Sequence, residues 1–194
     1  MKTKILLMAF LIGAGSLFAQ ELDDKLDKSP MDATFYPAEA AKRAFRKGVT
    51  APKVRVLYSR PALKGREIFK KEKEDKGITM YGQAWRLGAN ESTELLLMQD
   101  AMIGGKKIAA GRYTIVVTPH EDYWVFHINS ENDGWGNYGH KPELDLVTVK
   151  VPVKNVENSL EHLTIALYSP NEDNVIHLKV GWGTYRAEMP ITLM

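Results

Sequence analysis

The sequence predicts an all-β fold, an antiparallel β-sandwich, and three observations carry that expectation. Apolar and polar residues alternate over most of the chain, the two-residue rhythm of strands with one wet face. Turn-forming residues break the rhythm at short intervals, as they do in sandwiches and barrels. Helical punctuation occurs once, near the N-terminus. A jelly roll is one arrangement that fits, with at most one short N-terminal helix.

The chain of 194 residues opens on Lys2 and Lys4, an apolar run from Ile5 to Ile12, the small residues Gly13 to Ser16, and Ala19 before Gln20. That is the pattern of a secretory signal peptide, expected over 1–19. A membrane anchor would need ~20 apolar residues, and this run ends too soon, so no span is expected after cleavage. The expected location is periplasmic or extracellular.

Residues 20–48 read as a flexible leader, polar from Gln20 to Phe35, with one possible short helix from Pro37 to Gly48. Proline suits the first helical turn and glycine its end. From there a single domain is expected over 49–194, of a size that buries a core without disulfides. Val54, Val56 and Tyr58 share a face in the first strand of this domain, which Pro61 ends. Lys64 to Lys76 alternates charge and reads as a solvated loop.

Thr93 to Gln99 forms the next apolar run. Met102 to Ile108 is a hairpin, because Gly104-Gly105 supplies the positive φ angles of a tight primed turn. Tyr113, Ile115 and Val117 share a face, as do Trp124, Phe126 and Ile128. Asn129 to Pro142 is a long loop of turn formers. Four further alternating runs follow: Val147–Val153, Leu163–Leu167, Ile176–Val180 and Tyr185–Ile191, with a turn at Ser169–Asp173.

Charge and cysteine content exclude several classes. The formal charge of +2 includes Lys2 and Lys4, so the mature chain is near neutral and has no basic stripe for nucleic acid. With no cysteine there is no thiolate zinc site and no cysteine nucleophile. No GxSxG elbow, HExxH motif or phosphate-binding glycine loop is present.

The stretch Tyr81 to Glu91 departs from the alternation and concentrates polar chemistry. Together with Tyr58-Ser59-Arg60-Pro61, Gly65-Arg66, Gly104-Gly105-Lys106, Ala110-Gly111-x-Tyr113 and Trp135-Gly136-x-Tyr138, the segment Trp85-Arg86-x-Gly88-Ala89-Asn90-Glu91 resembles the bacterial secreted family known as domain of unknown function 2911. The resemblance runs from about Val54 to Ile191. It implies a mostly β, exported domain and assigns no activity.

The candidate ligand-binding residues are Arg60, Arg66, Trp85, Arg86, Asn90 and Glu91, with Trp135 and Tyr138 as aromatic walls. Arginine forks suit carboxylate or phosphate, and flat aromatic surface suits a sugar ring. The competing reading pairs Arg86 with Glu91 in a merely structural crossover. His127, His162 and His177 fall on the outer strand faces, where solvated histidine is the ordinary reading. No metal or cofactor is expected; the pieces nearest to a metal site are Asp133, Asp145 and His140. No catalytic residue stands out. The expected function is that of an exported, non-catalytic ligand-binding or envelope-associated protein, with a small molecule or saccharide as partner. The alternatives are an extracytoplasmic hydrolase of saccharide or peptide material and a purely structural or oligomeric sandwich. Oligomeric state is not legible.

Overall fold

The structure, a computed structural model, describes residues 24–72, 77–136, 138, 140–171 and 174–194. The expected signal peptide, residues 73–76 at the end of the charged Lys64–Lys76 run, and Glu172–Asp173 of the last turn lie outside the described residues. Eleven strands are present: β1 (Met31–Tyr36), β2 (Val54–Ser59), β3 (Phe69–Lys70), β4 (Thr79–Met80), β5 (Thr93–Leu97), β6 (Ala101–Ile103), β7 (Lys106–Ile108), β8 (Gly111–Pro119), β9 (Tyr123–Asn129), β10 (Asp145–Tyr168) and β11 (Val175–Leu193).

Nine of them form one antiparallel sheet in the order β1-β2-β5-β8-β9-β10-β11-β6-β7, and β3 and β4 form a small parallel pair. The fold is mostly antiparallel β, as the alternation required. The long strand β10 joins the two halves of the sheet. Its first part pairs with β9 from Asp145 to Pro152, and its later part pairs with β11 from Val153 to Tyr168. Register shifts between Asn155, Leu160 and Thr164 mark where the pairing becomes irregular; such bulges bend a strand.

The return contact comes from the chain just after β2. Leu63 donates to the Glu161 carbonyl, Leu163 donates to the Pro61 carbonyl, and Ala62 bridges His162. The Tyr58 hydroxyl accepts from the Ile165 N–H at 3.0 Å. Pro61 ends β2 as expected, and the released segment tethers the β2 side to the far half of β10.

Between these halves lies an aromatic core. Trp85 stacks on Trp182, with centroids 5.8 Å apart at 18°. Trp124 meets Trp85 edge-on at 6.0 Å, and Phe69 meets both Trp85 and Trp124 edge-on. Ile115, Val117, Phe126, Ile128, Leu163, Ile165, Ile176, Leu178 and Val180 complete it, the inward residues that alternation had indicated.

Three expectations are corrected. The leader is not wholly loose: Met31–Tyr36 is an edge strand that pairs with all of β2. Met31, Ala33 and Phe35 alternate there with Asp32 and Thr34, but so short a run at the end of a polar segment does not stand out from the leader. Pro37–Gly48 forms a 3-10 turn at Ala38–Lys42 in place of a three-turn α-helix. So short a helix has little stability of its own, and only Ala40 is buried. The four runs after Val147 make two long strands, since bulges and glycines bend a strand without ending it.

Candidate functional site

The segment Trp85–Ser92 is a tightly turned crossover leading into β5. Leu87 and Asn90 hold positive φ angles of 52° and 58°. Asn90 tolerates this conformation, whereas for leucine it is unfavourable. What maintains Leu87 is complete burial together with a 2.8 Å hydrogen bond from the Thr93 hydroxyl to its carbonyl. At Gly88 an added Cβ would lie 3.1 Å from the Ser59 carbonyl oxygen, so glycine is what lets the crossover lie against the end of β2.

Gly134, Trp135, Gly136 and Tyr138 of the long loop lie on this crossover. Ser92 N–H donates to the Gly134 carbonyl at 3.0 Å, Gly136 N–H donates to the Asn90 carbonyl at 2.8 Å, and Glu91 bridges Trp135. The Ser92 hydroxyl donates to the Gly136 carbonyl. Arg86 donates to the Asn90 carbonyl at 3.0 Å and lies 5.9 Å from the centre of the Tyr138 ring. Its guanidinium therefore serves the loop rather than the Glu91 carboxylate.

Two clefts flank this junction. One, of about 370 Å³, is lined by Ser59, Glu91, Ser92, Glu94, Arg112 and Asp133 among others. The second, of about 110 Å³, is lined by Asn129, Glu131, Trp135 and His140, and shares Ser92, Thr114 and Gly134 with the first. Trp135 is 61% exposed and Tyr138 83%. Arg112 is clamped by Asp133 in two parallel hydrogen bonds of 2.9 and 2.8 Å, and Glu94 accepts from Arg55 at 2.8 Å.

The eight candidate residues do not share one place. Arg86, Asn90, Glu91, Trp135 and Tyr138 come together at the crossover. Trp85 is no wall of a site: it is 3% exposed, in the core stack. Arg60 turns away toward Asp32, the Leu163 carbonyl and the Thr164 hydroxyl. Arg66 folds back on the Ala62 and Leu63 carbonyls and lines a wide groove of about 1310 Å³ that shares no residue with the other two clefts. Arginines beside strand ends were indistinguishable in sequence, and only their backbone acceptors separate them.

Behind the smaller cleft lies a polar cluster that sequence reasoning assembled only in part. His127 Nδ1 is 2.8 Å from Asp145 Oδ2, and His140 Nε2 is 3.0 Å from Asp145 Oδ1. Asn129 donates to Asp145 Oδ1 at 2.8 Å, and the Thr118 hydroxyl is 3.0 Å from His127 Nε2. Burial by itself pushes the Asp145 carboxyl up; the hydrogen bonds from Asn129, His140 and His127 outweigh it and hold the group below its ordinary range.

His127 does point to the outer face of β9, as alternation indicated, yet it is not solvated: its side chain is 15% exposed. The reason is the 130–144 loop, which folds back over that face and also buries Val116. The length of that loop beside β9 was the signal that would have found it. A bulge in β10 completes the cluster. Val147 pairs with Ile128 but Asp145, not Leu146, pairs with Asn129, which brings the carboxylate to the histidine face. Asp133 takes no part, being held by Arg112.

A second cluster lies on the outer face of β10 and β11. Glu188 accepts from Lys179 at 2.7 Å and Tyr168 at 2.6 Å, with His177 Nδ1 at 3.0 Å. Burial raises the Glu188 carboxyl, but these hydrogen bonds and the Lys179 charge prevail and bring it down to about 2. The folded value lies below the unfolded one, so the stabilisation is present above the ordinary glutamate range and is lost as pH falls from about 4.5 toward 2. Such a shift corresponds to ~3 kcal/mol at most, and partial exposure reduces it to about 1–2 kcal/mol. Urea denaturation of wild type and Glu188→Gln should therefore differ at pH 7 and converge toward pH 2; a pH-independent difference would contradict this assignment.

Residues 40–191 match the family described as protein of unknown function DUF2911. The chain belongs to that family. The family named from the YSRP and WRxGANE segments is thus the right one, and the DUF2911 match runs from before β2 to Ile191 in β11, taking in the lining of both clefts except Met31. Comparison with curated proteins and with solved structures yields no match. No helix among the described residues is long and apolar enough to cross a membrane.

Proposed function

We propose that this protein acts outside the cytoplasm as a non-catalytic binder of a small, neutral, polyhydroxylated ligand such as a saccharide, held where the two clefts meet. The observation that carries this reading is Trp135. A large indole is 61% exposed, yet its backbone is fixed by Glu91 and its neighbours by Ser92 and Asn90. A sugar ring stacks on such a surface, and the polar groups beside it supply acceptors and donors for hydroxyls.

The charge balance of the larger cleft supports a neutral ligand over an anion. Glu91, Glu94 and Asp133 line it with a single arginine, Arg112, which Glu94 and Asp133 already engage. The same pairing favours binding over glycoside cleavage. Cleavage uses two carboxylates free to trade protons, whereas Glu94 and Asp133 are committed to arginines. The export signal read from residues 1–19 supports the location.

Tryptophan fluorescence tests the proposal. Of the four tryptophans, Trp85, Trp124 and Trp182 are buried, so Trp135 is the one that solvent and ligand reach. Titration with a panel of neutral mono- and oligosaccharides should give a saturable change in the solvent-exposed emission. Trp135→Phe should abolish the signal, and Glu91→Ala should weaken binding about tenfold, the loss of ~1.4 kcal/mol. A panel that leaves the emission unchanged, or a Trp135→Ala variant that dissociates an oligomer, would replace this reading with an interface.

A further inference from the structure

We infer that His127, His140 and Asp145 form a binding site for a first-row divalent transition-metal ion, zinc foremost, behind the smaller cleft. This inference goes beyond the ligand proposed above and stands whether or not a saccharide binds.

Donor type and spacing argue for it first. Two imidazole nitrogens and one carboxylate oxygen all lie within 4.8 Å of one another. In a tetrahedral zinc site with bonds near 2.0–2.1 Å, neighbouring ligand atoms are about 3.3 Å apart. Closing the three donors around an ion thus requires side-chain shifts of about an ångström, within the reach of rotamer adjustment.

Uncompensated charge is the second argument. Asp145 is 9% exposed, and its hydrogen-bond partners are Asn129, His127 and His140. No lysine or arginine is among them, in contrast to Glu188, which has Lys179. Hydrogen bonds stabilise this buried carboxylate, yet no permanently charged cation stands beside it. A divalent ion supplies the missing charge, and neutral imidazoles are its preferred companions.

The groups around the three donors are the third. Metal-bound imidazoles donate their other N–H to an oxygen, and ligating carboxylates are themselves hydrogen-bonded. His127 Nε2 faces the Thr118 hydroxyl at 3.0 Å, and Asn129 holds Asp145 Oδ1 at 2.8 Å. With a metal on Nδ1, the single proton of neutral His127 sits on Nε2 and is donated to Thr118. Asn129 keeps Oδ1 and leaves Oδ2 for the ion. His140 and Asn129 line the smaller cleft, which provides the entry path and room for a water as fourth ligand.

The test uses purified protein without a histidine tag, stripped with chelator. Zn²⁺ is titrated in competition with a chromophoric chelator, and Co²⁺ is followed by visible absorption. We expect one Zn²⁺ per chain, intense tetrahedral Co²⁺ bands, and a rise of several degrees in melting temperature with Zn²⁺. Asp145→Ala and His140→Ala should each weaken Zn²⁺ binding at least about 100-fold, and Thr118→Val about tenfold through His127. Circular dichroism identifies variants that remain folded, and the wild-type Co²⁺ spectrum decides the matter if none does. Absence of Zn²⁺ binding tighter than about 10 μM, a weak octahedral Co²⁺ spectrum, or undiminished binding by folded Asp145→Ala would overturn the site.

Discussion

Trp182→Ala is expected to destabilise the protein by about 3–5 kcal/mol, the range for removing a large aromatic from a well-packed core. Trp182 is fully buried, its ring stacks on Trp85, and its indole N–H donates to the Glu161 carbonyl of β10 at 3.2 Å. The substitution removes a wall shared by both halves of the sheet. It also empties space that neither Trp85 nor Leu163, themselves packed, can fill without moving. Urea denaturation should show a much lower midpoint at an unchanged slope. For a domain of this size the melting temperature should fall by roughly 10 °C or more. Trp135→Ala provides the comparison: its exposed ring should leave stability within about 0.5 kcal/mol. A loss below about 1 kcal/mol for Trp182→Ala would show that the core is not built on this stack.

Arg60→Ala should cost about 2 kcal/mol although the side chain is partly exposed. Its guanidinium makes three different contacts, Nε to the Leu163 carbonyl at 3.1 Å, Nη1 to Asp32 at 3.0 Å and Nη2 to the Thr164 hydroxyl at 3.2 Å. It thereby ties β1 and the end of β2 to the far part of β10. Only a rigid planar fork reaches all three, so Arg60→Lys should recover less than half of the loss. Arg86→Ala, which removes one hydrogen bond to a backbone carbonyl and a contact with Tyr138, should cost under about 1 kcal/mol. Equal losses for the two arginines would refute the distinction between the clasp and the loop contact.

Much of the scaffold was legible because strand alternation is a local signal. Val54-x-Val56-x-Tyr58, Trp124-x-Phe126-x-Ile128 and the Gly104-Gly105 turn each predict their own geometry, and each is found where expected. β1 is hard to read because its alternation, Met31-x-Ala33-x-Phe35, is short and directly follows a polar segment without periodicity. Trp182 is central, yet nothing near it in sequence indicates the Trp85 that it stacks on. Of the polar segments, Arg86, Asn90 and Glu91 of the crossover lie beside Trp135 and Tyr138 of the long loop, whereas Trp85 packs in the core. Arg60 and Arg66 share with Arg86 both residue type and a place near strand ends, yet each turns to other backbone acceptors.

The histidine cluster marks the boundary most clearly. Asp133, Asp145 and His140 lie near one loop in sequence, yet only Asp145 and His140 join the cluster. For His127 alternation predicts an outer face and cannot say what covers it. The long loop folds back over that face and a β-bulge turns Asp145 toward it, and neither event is encoded in any short window of residues. By itself, then, the chain determined its family, its strand rhythm and the segments that depart from it, because these depend on neighbours a few residues apart. Only the tertiary structure decided which polar groups meet, because hydrogen bonds between Asn129, His127, His140 and Asp145, or between Arg60 and Thr164, depend on contacts that the chain makes by folding onto itself.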